Sequence, residues 1–145
     1  MNELENNASF FRFEDLRIYS KAVEYSVWLH QALTFGSDSD TVFSSKMPFL
    51  NAANAIALNT AEGSSRNKSQ FLYYMKMAKS SVRECVVFTE IAHKLQAFSD
   101  DEYDYSRNQL MELTKMIGSL ISSIQRSLGT QAASEKDEME MDPFL

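Results

Sequence analysis

Apolar residues recur at three- and four-residue intervals along most of the chain, and four stretches carry this helical period. From Phe13 to about Phe35, Leu16, Tyr19, Val23 and Val27 form one row and Ile18, Ala22, Tyr25, Leu29 and Leu33 the adjoining one, a wide apolar stripe. The opposite row, Arg17, Lys21, Glu24, Trp28 and Gln31, sets the only tryptophan among charged residues on the expected wet side. Two readings of Trp28 stand side by side: an interface anchor, or a ring lying over a neighbouring loop. Gly36-Ser-Asp-Ser-Asp-Thr41 is a loop by composition. A second helix starting near Ser44 or Ser45 places Pro48 in its first turn, where a missing N–H costs little. Its inner row is Leu50, Ala53, Ile56, Ala57 and Thr60, with Ala52 and Ala55 beside it, so another helix can approach closely. Asn51, Asn54 and Asn59 interrupt that surface, and any of them that is buried needs a hydrogen-bond partner.

The third stretch, Lys68 to about Phe98, is apolar on two sides. Phe71, Met75, Ala78, Val82, Cys85, Thr89, Ala92 and Gln96 trace one face, and Tyr73, Met77, Val87 and Ile91 a second. One face suits its own bundle; the other requires a further partner. What remains is a narrow ribbon of Lys68, Lys76, Lys79, Arg83, Glu90 and Lys94. In the fourth helix Tyr103, Leu110, Leu113, Ile117, Leu120, Ile121, Ile124 and Leu128 form the stripe, interrupted by Gly118, which either costs about 1 kcal/mol or marks close contact with another helix.

The punctuation fits these limits. Gly63 stands where the second helix stops and is expected as a left-handed C-cap. Asn67 with Gln70, and Ser99 with Glu102, have capping-box spacing. Four helices with short connections predict an all-α fold, an antiparallel up-down four-helix bundle over residues 13–128. Residues 1–12 read as a flexible arm, and residues 129–145, acidic and containing Pro143, as a disordered tail.

With 145 residues, four glycines and two prolines, the chain fits one domain built of long elements. A lone Cys85 excludes a disulfide framework, and no signal-like or membrane-spanning run occurs, so a cytoplasmic location without membrane contact is expected. The net charge of −6 hides a division: the two ends carry all of the excess, and residues 12–128 are neutral. Within that neutral body Arg66, Lys68, Lys76, Lys79 and Arg83 occur with no acid between them.

Little chemistry is legible. Glu90-Ile-Ala-His93 has the Glu-x-x-His spacing of bundle metal sites, but His30, the only other histidine, lacks a glutamate three residues before it, so no metal or cofactor is expected. Cys85 lies on an apolar row with no nearby cation to activate it. No catalytic constellation or phosphate-binding glycine loop is present in the sequence, and neither an enzyme nor a small-molecule substrate is expected. Glu62, in the last turn of a helix, opposes the macrodipole and calls for a compensating donor, Arg66 being the nearest base in sequence. Glu84 falls inside the second apolar face of the third helix and also calls for a partner.

With these residues in place the chain resembles the four-helix-bundle family encoded by intervening sequences in bacterial 23S ribosomal RNA genes. Three motifs carry the likeness: Phe13-Glu-Asp-Leu-Arg-Ile-Tyr19; Asn59-Thr-Ala-Glu62-Gly63 followed by Arg66; and the set Ala78, Ser81 and Glu84. The resemblance implies a homopentamer, no enzymatic activity, an association with RNA, and kinship with accessory proteins of diversity-generating retroelements. Two departures accompany it: Leu50 and Asn51 stand where the family has a basic pair, and Tyr19 where it has tryptophan. The expectation is therefore an oligomeric binding module for RNA or an RNA-handling protein, using Arg66, Lys68, Lys76, Lys79 and Arg83. Trp28, Tyr73, Met77, Glu84, Val87 and Ile91 are expected at the subunit interface. A protein-interaction scaffold is the alternative.

Overall fold

The computed structural model describes residues 11–35 and 44–141, giving for 132–141 only the course of a helix. A 3-10 turn, Arg12–Asp15, leads into α1 (Arg17–Phe35), α2 (Lys46–Ser64), α3 (Lys68–Lys94) and α4 (Asp100–Met141). Each helix packs on the next, and α1 closes the ring against α4 in an antiparallel up-down four-helix bundle. Among the described residues no helix is long and apolar enough to cross a membrane. The expected flexible arm of residues 1–12 lies outside the described residues apart from Phe11 and Arg12.

The core follows the periodicity. Ile18, Ala22, Tyr25, Leu29 and Leu33 of α1 meet Leu50, Ala53 and Ile56 of α2, Met75, Ala78, Val82 and Cys85 of α3, and Leu110, Leu113 and Ile117 of α4. The most intimate packing is α2 on α3, as the alanine-rich row of α2 allows. The asparagines find partners: Asn54 accepts from the Ser26 hydroxyl, and the Asn59 amide donates to the Ala55 carbonyl at 2.8 Å. Asn51 is exposed. At the centre lies a relay of hydroxyls with no sequence forewarning. Thr89 donates to the Cys85 carbonyl at 2.7 Å, so its oxygen accepts from Ser106 at 2.8 Å, and Ser106 accepts from Tyr25 at 2.8 Å. Each hydroxyl carries one proton, which fixes this direction and ties α1, α3 and α4 in register. Burial pushes the Tyr25 phenol and the Cys85 thiol well above their usual values.

Four boundaries differ from expectation. Helix α1 begins at Arg17 and not at Phe13, because Leu16 is extended (φ −78°, ψ 125°) after the 3-10 turn; Phe13 instead sets its ring edge-on to Tyr19 at 5.0 Å. Gly63 is no left-handed cap: no described glycine has positive φ, and α2 runs through it to Ser64. It is needed for closeness, since a Cβ there would lie 2.7 Å from Tyr74 Cβ and 3.0 Å from Phe71 Cδ1. The left-handed residue is Gln96, at φ 61°. Helix α3 ends at Lys94, and Ala97 N–H to Ala92 C=O (2.8 Å) with Gln96 N–H to His93 C=O (3.0 Å) forms a Schellman motif around Gln96, which is exposed and not part of the core row. Finally, α4 does not stop near Leu128 but continues to Met141. Residues 131–141 are Gln, Ala, Ser, Glu, Lys, Asp and Met only, mostly strong helix formers with no glycine or proline, so propensity extends the helix where no apolar stripe does. Residues 142–145 lie outside the described residues.

The caps hold the two tight corners. Asn67 Oδ1 accepts from Gln70 N–H at 2.9 Å. At the α3–α4 corner both halves of the capping box form, Glu102 N–H to Ser99 Oγ at 3.1 Å and Ser99 N–H to Glu102 Oε1 at 2.9 Å.

Candidate nucleic-acid and subunit interfaces

The basic residues of α3 occupy the flank that turns from the core toward α4. Lys76 and Arg83 are exposed, Lys79 is half-buried, and none of the three is ion-paired among the described residues. Lys68 reaches across to the Ser127 hydroxyl of α4. Arg66 is engaged: its Nε lies 3.0 Å from Glu62 Oε1, its Nη2 bonds the same oxygen, and its guanidinium sits 5.8 Å from the Tyr74 ring centre. That bond raises the Arg66 pKa further and supplies the donor that Glu62 required.

The face does not end at α3. Residues 113–131 of α4 contain Lys115 and Arg126 and no acid, and they run antiparallel beside the acid-free residues 66–83. The two segments together carry seven bases, six of them on α3 and α4 and Arg66 at the corner before α3. The α4 half was visible in the sequence as a second acid-free run, but only the pairing of the helices joins it to the first. Between them, Lys79, Gly118, Ser119, Ser122 and Arg126 line a groove of about 550 Å³. A Cβ built on Gly118 would meet no atom of the described residues within 4 Å, so no helix of its own chain packs closely on this glycine.

The second face of α3 is an exposed ridge. Tyr73 (59% exposed), Met77 (42%) and Val87 (57%) lie on it, joined by Leu95 (58%) just past the helix end; Ile91 is half-buried. Glu84 is exposed amid them and has no ion pair among the described residues. Trp28 is not on the wet face expected of its row and follows the second of its two readings, a ring over a neighbouring connection: it is half-buried against Tyr25 (5.8 Å), Phe98 (5.6 Å) and Tyr105 (4.7 Å). The α3–α4 corner brings Phe98 under its ring, which one-helix periodicity could not foresee. Of the motif residues, Ser81 and Gly63 are buried, Asn59 caps its own helix surface, and Glu62 and Arg66 pair across one turn.

A second apolar surface lies elsewhere on the bundle. Tyr19, Val23 and Val27, half of the wide α1 stripe, do not enter the core; with Phe13, Leu58 and Ala61 they line a groove of about 820 Å³ between α1 and α2. Glu90 and His93 do not converge on a common point. Glu90 accepts from the Tyr103 hydroxyl at 2.9 Å, which holds its carboxyl below the usual range, while His93 Nε2 lies 2.7 Å from Asp100 Oδ1 and its ring stacks on Tyr103 at 4.2 Å. Among the described residues no three His, Cys, Asp or Glu side chains are grouped to hold a metal.

Fold and surface together define an all-α four-helix bundle with a basic flank and an exposed apolar ridge. The chain belongs to the family of 23S rRNA-intervening sequence proteins, whose profile matches residues 14–119. A crystal structure at 1.70 Å of a protein of unknown function from the S23 ribosomal protein family of Bacteroides thetaiotaomicron VPI-5482 shares the fold, with a TM-score of 0.67 and 18% identity over 72% of this chain and 95% of that one. No match was found among curated protein sequences.

Proposed function

We propose that this protein is a non-catalytic, oligomeric binding module that associates with RNA through the basic flank of α3 and α4. The observation that carries the reading is the side-by-side pairing of two segments, residues 66–83 and 113–131, that contain bases and no acid of their own. A phosphate backbone is attracted to such a surface over many positions, and released counterions make the affinity fall steeply with salt. The family description, naming an intervening sequence of ribosomal RNA, supports the same partner class. The test is binding of a synthetic RNA stem-loop across a salt series. Charge reversal of Lys76, Lys79 and Arg83 to Glu is expected to leave helix content intact, weaken binding, and flatten the salt slope by about three. Equal binding by the triple variant would favour a protein-interaction scaffold instead.

The α3 ridge supports self-assembly. Exposed tyrosine, methionine, valine and leucine side chains in one row form a surface that soluble monomers avoid, and the α1–α2 groove offers an apolar complement on a different part of the same chain. Pairing of two different surfaces is heterologous and generates a ring when the rotation closes, five subunits being the number the family resemblance implies. Light scattering at micromolar protein is expected to give a multiple of the chain mass. Met77→Asp with Ile91→Asp is expected to reduce it to one chain or drive the protein out of solution. A wild-type mass of one chain would refute the assembly.

A further inference from the structure

Gly118 has no structural reason to be glycine. It lies inside α4 without positive φ, and a Cβ on it would touch nothing among the described residues within 4 Å, so neither backbone strain nor helix packing within the chain excludes a side chain. What a side chain at 118 would do is enter the groove that Lys79, Ser119, Ser122 and Arg126 line with Gly118. The polar groups there share one character. Lys79 and Arg126 are cations without an ion pair among the described residues, Ser119 and Ser122 carry hydroxyl donors, and no carboxylate lines the groove. An ammonium, a guanidinium fork and two hydroxyls around an open floor suit a tetrahedral oxyanion, with the fork able to bond two of its oxygens.

We propose that this groove is a phosphate seat, in which the missing side chain of Gly118 lets one phosphodiester of an RNA backbone approach α4 between Lys79 and Arg126. The seat fixes where the strand lies on the basic flank; without it the flank is a diffuse attraction that sets no register. The identity of the phosphate as part of RNA rests on the function proposed above, whereas the seat itself does not.

Gly118→Gln puts an uncharged side chain over the floor of the groove and changes no charge, so it separates the seat from the general field of the flank. It also removes a glycine from a helix interior, so the variant is expected to fold at least as stably as wild type, which a urea melt would check. Two probes are used on the full chain: inorganic phosphate followed by amide shifts of Ser119 and Ser122, and a synthetic RNA stem-loop followed by affinity and salt slope. The expected result is that phosphate shifts both amides in wild type and neither in Gly118→Gln, and that the variant binds RNA about tenfold more weakly with a salt slope lower by about one. If wild type binds RNA and Gly118→Gln binds it equally well with the same slope, the seat is overturned while the basic flank stands. If wild type binds no RNA but phosphate shifts its amides and not those of the variant, the seat stands as a site for free phosphate and the RNA reading falls. If neither probe produces a response, both are wrong.

Discussion

Gly63 and Gly118 both sit inside helices with ordinary backbone angles, and their surroundings are opposite. Gly63 is buried where the end of α2 crosses the start of α3, and its Cα faces Tyr74 Cβ so closely that an added Cβ would lie 2.7 Å away. Gly118 faces open space over a groove lined with cations and hydroxyls. Both positions carry the same intrinsic cost, roughly 1 kcal/mol relative to alanine. At Gly63 the fold returns that energy as close packing of α2 on α3; at Gly118 packing returns nothing. A glycine in a helix is thus informative only when its neighbours are known.

Three substitutions break or sharpen this contrast. The largest effect is expected from Gly63→Val, which forces Cβ and two methyls against Tyr74 Cβ, an atom fixed to its own helix; destabilisation of about 2–3 kcal/mol should lower the urea midpoint, and an unchanged midpoint would remove the packing account. Gly118→Ala should move the other way, raising stability by about 1 kcal/mol in the same assay, because the helix gains propensity and nothing clashes. A loss of stability there would mean that α4 needs the glycine for a contact of its own. The smallest effect is expected at Gln96, where the chain does adopt the left-handed conformation. Gln96→Gly should stabilise by about 0.5–1 kcal/mol by relieving the Cβ penalty, which would show that the left-handed cap and the glycine have been placed at different helix ends in this protein.

The same distinction separates the interfaces. Lys76, Lys79 and Arg83 were placed on one ribbon of α3 from spacing alone, because residues on a single helix keep their angular order whatever packs beside them. Arg126, Ser119 and Ser122 lie some forty residues further along the chain, and nothing local joins them to Lys79; the antiparallel pairing of α3 and α4 does. Trp28 shows the converse. Its position on α1 set it among charged residues, yet Phe98 from the α3–α4 corner and Tyr105 of α4 cover it.

The sequence by itself determined the four helices, the apolar side of each, the Asn67 and Ser99 caps and the Glu62–Arg66 pair, because each of these is a relation between residues a few positions apart on one helix or one turn. It also determined that α3 would carry more apolar surface than a single bundle covers. Only the tertiary structure decided that Gly63 serves closeness, that Gln96 turns the corner, that Tyr25, Ser106 and Thr89 join in one hydroxyl relay, and that the α1 stripe is half core and half groove. These depend on the distance and rotation between helices, and periodicity fixes which side of a helix is apolar without fixing what stands opposite it.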